Sequence, residues 1–117
     1  MRIALVVEGK LEHIAIPRLL RRAVPQLQRQ KLLSLNADGG PNLRKDLPKM
    51  VRRAIEDDGV DAVFSLCDLY QPDFQFPRGC EARDERAAHL TDHLSNLVAQ
   101  KFRSRFHPHL AVHEVEA

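Results

Sequence analysis

Arg2-Ile3-Ala4-Leu5-Val6-Val7-Glu8-Gly9-Lys10-Leu11-Glu12 opens the chain, and its reading decides the fold. Ile3 to Val7 are apolar without alternation, the pattern of a strand buried on both faces inside a parallel sheet. The run ends in a carboxylate and a glycine, just before a helical segment. Ligands of open α/β sheets bind beyond the carboxyl ends of the strands. Glu8 therefore stands where such folds keep their chemistry, and Gly9 lets the backbone turn tightly beside it. A carboxylate there needs a cation, a hydrogen bond or water; the plainer alternative is a solvated acid in a loop.

Working outward, Leu11, Ile14, Leu20 and Val24 recur at helical spacing, with Pro17 expected to kink the helix or begin its main part. Lys10 lies at the N-terminus of that helix, where anions are favoured, so it is a candidate phosphate contact or simply a solvated lysine. The spacing is not that of a P-loop. Residues 31–36 (Lys-Leu-Leu-Ser-Leu-Asn) predict a second strand, and 37–42 a turn cluster with Asn42 as helix N-cap. Leu43, Leu47, Met50, Val51, Ala54 and Ile55 then predict an amphipathic helix containing Pro48 and closed by Gly59.

Ala62-Val63-Phe64-Ser65-Leu66-Cys67 predicts another buried strand, and it too ends in an acid, Asp68. If the two strands are parallel neighbours, Glu8 and Asp68 share one edge of the sheet. Converging carboxylates repel unless a cation or a shared proton offsets them, and an oxygen-coordinated Mg²⁺ is the natural solution. If the strands are not adjacent, the acids are unrelated. Leu69 to Gly79 is a long loop of the kind that is often functional. Residues 81–100 predict a third helix with Ala87, Leu90, Thr91, Leu94, Leu97 and Val98 on one face. Its charged start, with Arg78 just ahead and Arg83 and Arg86 within, forms solvated ion pairs or meets a phosphate backbone. A last strand is expected near 109–115. His107, His109 and His113 share parity there, but a zinc site lacks further ligands at suitable spacing; partly exposed histidines beside a turn at Pro108 are the plainer reading.

The order β-α-β-α-β-α-β predicts a mainly parallel sheet between helices. The totals agree: 117 residues, 44% hydrophobic and 29% charged, form a single soluble domain over 1–117. No apolar run approaches the roughly 20 residues of a membrane span. Met1-Arg2-Ile3 does not begin a signal peptide, so a cytoplasmic location is expected. Two cysteines, Cys67 and Cys80, exclude a disulfide framework. A net charge of +2 neither requires nor excludes nucleic acid, and 5% aromatics without tryptophan argue against a single-strand stacking platform.

The Glu8-Gly9-Lys10-Leu11-Glu12 opening, the strand ending Cys67-Asp68-Leu69-Tyr70, the block from Pro77 to Arg86 and the closing His113-Glu114-Val115-Glu116-Ala117 resemble a bacterial family of Toprim-like proteins of unknown function (domain of unknown function 4276), related to the OLD-family nuclease domain. The resemblance implies a Toprim-like three-layer α/β sandwich, with a four-stranded, mostly parallel sheet flanked by helices. It implies a Mg-dependent nuclease or phosphodiesterase acting on nucleic acid, with Mn as a substitute, in a bacterial defence system beside an ATPase partner. Glu8 matches the family's catalytic glutamate and Asp68 the first aspartate of its metal-holding Asp-x-Asp pair. The second aspartate is replaced by Tyr70, neutral near pH 7 and a poor ligand for a hard cation. Asp73, Glu114 and Glu116 are the further acids that could complete a metal set. The resemblance also implies helices beyond the last strand, so the C-terminus reads as shortened relative to the family. The alternative expectations are a non-catalytic binding or partner module with a degraded metal site, and a domain that forms a homodimer through its uncovered last strand or helix faces.

Overall fold

The computed structural model describes residues 2–24, 31–71 and 74–111. Its elements are β1 (Arg2–Val7), α1 (Lys10–Ala23), β2 (Lys31–Asn36), α2 (Gly40–Glu56), β3 (Ala62–Asp68), α3 (Arg83–Leu97), a 3-10 helix (Gln100–Arg105) and β4 (Phe106–Ala111). The four strands form one sheet in the order β2-β1-β3-β4, and every neighbouring pair is parallel. Helices α2 and α3 cover one face and α1 the other, a three-layer α/β sandwich of the Toprim-like kind.

The core lies between the sheet and α2/α3. Ala4 and Val6 of β1, Val63 and Cys67 of β3, Leu43, Leu47 and Val51 of α2, and Leu90 and Leu94 of α3 are all buried there. Each fully buried leucine or valine contributes about 1.5–3 kcal/mol relative to exposure, so this one layer supplies most of the driving force. The opposite face is more thinly covered. Alpha-1 lies over β2 and β1, and Ile3, Leu5, Leu20, Leu32 and Phe64 surround an apolar cavity of about 200 Å³ beneath it. In consequence β1 is buried on both faces as expected, whereas β3 alternates, with Val63, Ser65 and Cys67 buried and Phe64 and Leu66 half-buried.

Several boundaries move from their expected places. Pro17 does not start α1, which runs through it from Lys10 to Ala23. A proline removes the bond to the carbonyl four residues back, here that of His13, and the Ser34 hydroxyl of β2 donates to that carbonyl instead at 3.2 Å. Ser34 Oγ also lies 2.8 Å from His13 Nδ1, a second tie between the same two residues. Helix α2 begins at Gly40 with Gly39 as its cap, and Asn42 sits inside the first turn, its Nδ2 donating to the Asp38 carbonyl at 2.8 Å. The third helix stops at Leu97, and residues 100–105 form a separate 3-10 turn that buries Phe102. Beta-4 starts at Phe106, three residues earlier than expected, and carries Pro108 within it. Among the described residues β4 is an edge strand, a position where the N–H that proline lacks is not needed for the ladder. His107 and His109 do share a face, stacking on Phe64 with centroids 4.9 and 5.8 Å away; His113 lies outside the described residues.

Candidate functional site

The chain leaves β1 toward β2 on one side and returns to β3 on the other, so the strand order reverses between β1 and β3. That reversal opens a crevice at the carboxyl ends of the two strands, the place where open α/β sheets bind ligands. Glu8 follows β1 directly and Asp68 is the last residue of β3. The sheet register sets Val7 opposite Leu66, which brings the two acids to the same edge. Both line one cavity of about 150 Å³, with Glu12 as a third acid and Ile16, Leu66, Cys67 and Ala111 as its walls. Glu12 was not among the expected site residues, although its place four residues after Glu8, one helical turn along, is the signal that could have found it.

Glu8 is held rather than solvated. Its Oε1 accepts from the Asp68 backbone N–H at 3.2 Å and from Gln71 Nε2 at 2.9 Å. Gln71 Nε2 also donates to the Asp68 carbonyl at 2.8 Å, which fixes the start of the 69–82 loop to the site. On the other side, Gly39 N–H donates to the Glu8 carbonyl, so the turn before α2 closes against the same residue. The next residue, Gly40, has no room for a side chain: a Cβ there would stand 2.8 Å from Gln71 Oε1 and 3.1 Å from Glu8 Oε1. Glycine thus permits the close approach of α2 that shapes the crevice.

Partial burial raises the Glu8 pKa above its ordinary 4.5, and the charges of Asp68 and Glu12 push the same way. The Asp68 N–H bond and the Arg44 guanidinium oppose the rise. Burial, reinforced by the Glu8 charge, pushes the Cys67 thiol up to about 12, which makes it a wall and not a nucleophile or metal ligand. Arg44, on the first turns of α2, is the basic residue that acts on Glu8. Its guanidinium also lies 5.3 Å from the Phe74 ring centroid. Sequence reasoning missed it because nothing local marks a helix arginine as aimed at a strand end thirty-odd residues away.

The expected phosphate-binding residues lie elsewhere. None of Lys10, Arg78, Arg83 or Arg86 lines the cavity. Lys10 is exposed at the start of α1, Arg78 is exposed in the loop and Arg83 is exposed at the start of α3. Arg86 is spent on structure, with Nε donating to the Cys80 carbonyl at 3.0 Å and its guanidinium 5.2 Å from the Phe76 centroid. Asp73, Glu114 and Glu116 lie outside the described residues. Tyr70 is 49% exposed, whereas its neighbour Gln71 is 8% exposed and bonded to Glu8.

Among the described residues no three His, Cys, Asp or Glu side chains converge into a ready metal cage. The donors at hand are the carboxylates of Glu8, Asp68 and Glu12 on the cavity and, bonded to Glu8 from outside the lining residues, the Gln71 carboxamide, whose Oε1 is buried and without a hydrogen-bond partner among the described residues. All are hard oxygens. Mg²⁺ keeps several waters and takes one or two protein carboxylates plus substrate phosphates, so the set fits that ion better than a soft one.

Among the described residues no helix is long and apolar enough to cross a membrane. No curated protein and no solved structure matches the chain. One family model does, over residues 7–117, and it spans the crevice, both acids and the loop between β3 and α3. The chain belongs to that family, described as Domain of unknown function (DUF4276).

Proposed function

We propose that the chain is a Toprim-type phosphodiesterase, related to the OLD-family nuclease domains, that cleaves nucleic acid with Mg²⁺ or Mn²⁺ held by Glu8 and Asp68. The observation that carries this reading is the meeting of two carboxylates over one cavity at the strand-order reversal. A bound cation would polarise the phosphate and help generate the attacking hydroxide. Asp68, at the rigid end of β3, anchors the site. Burial and the charges of Asp68 and Glu12 raise the Glu8 pKa above its ordinary value, the direction that favours a carboxyl group taking part in proton transfer. Arg44 offsets phosphate charge from the α2 side.

Calorimetric titration with Mg²⁺ and Mn²⁺ tests the proposal. Binding at millimolar cation is expected for the native chain and is lost in Glu8→Gln and Asp68→Asn, and nicking of plasmid or single strands follows the same pattern. Absence of binding in the folded native chain would sink it.

Tyr70 favours a second reading. Its exposed phenol supplies no carboxylate where catalytic relatives in the Toprim group hold one, which suits a binding module docked on an ATPase partner or on nucleic acid in a bacterial defence system. Cation binding without cleavage, with or without that ATPase, would select this reading, and a homodimer through β4 or the α1 face would belong with it.

A further inference from the structure

We propose that Gln71 is a third oxygen donor of the Glu8–Asp68 site, parked on Glu8 by its own amino group until a hard divalent cation turns the carboxamide and takes Oε1 as a ligand. The inference rests on the cation reading above and deepens it.

The two ends of the Gln71 carboxamide are treated unequally. Nε2 has two acceptors, Glu8 Oε1 at 2.9 Å and the Asp68 carbonyl at 2.8 Å. Oε1 is buried with no donor among the described residues. A buried acceptor left without a partner costs about 1–3 kcal/mol, an expense a side chain avoids when it can turn. Turning here would set the amide oxygen against Glu8 Oε1 and the main-chain carbonyl of Asp68, and three acceptors facing one another repel. A divalent cation among them reverses that sign. The orientation of the carboxamide is therefore tied to what occupies the crevice: a donor when no cation is present, a ligand when one is.

The surroundings support this. Gln71 is only 8% exposed, so it is already desolvated and positioned before any ligand arrives. Oε1 rests against Gly40 so closely that a Cβ there would lie 2.8 Å from it. A carboxamide oxygen is an accepted ligand for Ca²⁺-like and Mg²⁺-like ions, and position 71 reaches inward where exposed Tyr70 does not.

The test combines calorimetry with NMR of the Gln71 side-chain NH₂ pair during Mg²⁺ titration. In the native chain the NH₂ resonances should shift in step with the binding heat as the bond to Glu8 is released. Gln71→Ala should weaken Mg²⁺ binding about tenfold, or 1.4 kcal/mol, and Gln71→Glu should strengthen it. Gln71→Asn, which keeps the amide but withdraws it by one methylene, should resemble Gln71→Ala. Circular dichroism confirms that each variant is folded, and Asn serves if Ala is not. Equal or tighter binding in Gln71→Ala, or an NH₂ pair that does not respond to the cation, overturns the inference. Binding that Glu8→Gln abolishes but Gln71→Ala leaves unchanged would remove this inference alone. A folded native chain that binds no Mg²⁺ would remove the cation reading, and this inference with it.

Discussion

Replacing Gly40 with alanine tests how tightly the crevice is built. By helix propensity alone the change should help, since alanine is favoured over glycine by at most about 1 kcal/mol inside a helix and by less at the first position. Sterically it should hurt. The new Cβ would stand 2.8 Å from Gln71 Oε1, 3.1 Å from Gln71 Cδ and 3.1 Å from Glu8 Oε1. Gln71 is the mobile partner, and to move it must give up its 2.9 Å bond to Glu8. A hydrogen bond to a charged group contributes about 1.5–3 kcal/mol. The loss exceeds the gain, so Gly40→Ala should destabilise the fold by about 1–2 kcal/mol. With a urea m-value of about 1–3 kcal/mol/M for a small domain, the midpoint falls by roughly 0.3–2 M. The decisive measurement is the double-mutant cycle with Gln71→Ala. Gln71→Ala alone should cost a similar amount, but adding Gly40→Ala to it should cost clearly less than in the native chain, because the nearest group struck is gone and only Glu8 Oε1, at 3.1 Å, still has to give. Additive losses would refute the contact, and a Gly40→Ala chain as stable as the native one would refute the whole account of the crevice.

Cys67 and Cys80 should separate cleanly in thiol labelling. Cys67 is 2% exposed with its thiol pushed up to about 12, so at pH 8 it should react only on the timescale of global unfolding, while partly exposed Cys80 labels at once. Two fast thiols would contradict the packing of β3. On the acid side, His93 should make the fold pH-sensitive. Burial, with Arg44 and His89 beside it, holds its pKa below the ordinary 6.5. The unfolded chain then binds the proton more readily, so this contribution to stability is whole above about pH 6.5 and is lost as pH falls toward the folded value. Arg44 from α2 and His89 from α3 are the charged or titratable groups acting on it, across the Phe74 ring 5.0 Å away. His93→Gln should flatten the decline between pH 7 and 5 seen in urea melts of the native chain; an unchanged slope would show that His93 does not carry it.

Much of this protein was readable along the chain because short-range physics governs it. Ile3 to Val7 read as a strand buried on both faces, and Leu43 to Ile55 as an amphipathic helix, since apolar spacing reports which face meets the core. The alternation of strands and helices then restricts the sheet to a parallel one, and each acid was placed at a strand tip by its neighbours alone. The misplacements fell where a distant group compensates a local rule. Pro17 reads as a kink or as the start of the main helix until the Ser34 hydroxyl takes over the carbonyl it abandons, and Asn42 reads as a cap until Gly39 and Gly40 carry the chain in one turn earlier.

The crevice itself was decided by tertiary structure. Nothing between residues 8 and 68 announces that β1 and β3 are neighbours; that follows from strand order, which depends on the way all four strands and three helices pack at once. Gln71 and Arg44 belong to the same category, because a glutamine in a loop and an arginine on a helix acquire a role only when a carboxylate is brought against them. Local sequence determined where the acids stand on their own strands, since that depends on hydrophobic spacing and turn chemistry within a few residues. Which side chains meet them depended on burial and charge summed over segments some sixty residues apart, and only the folded chain brings those together.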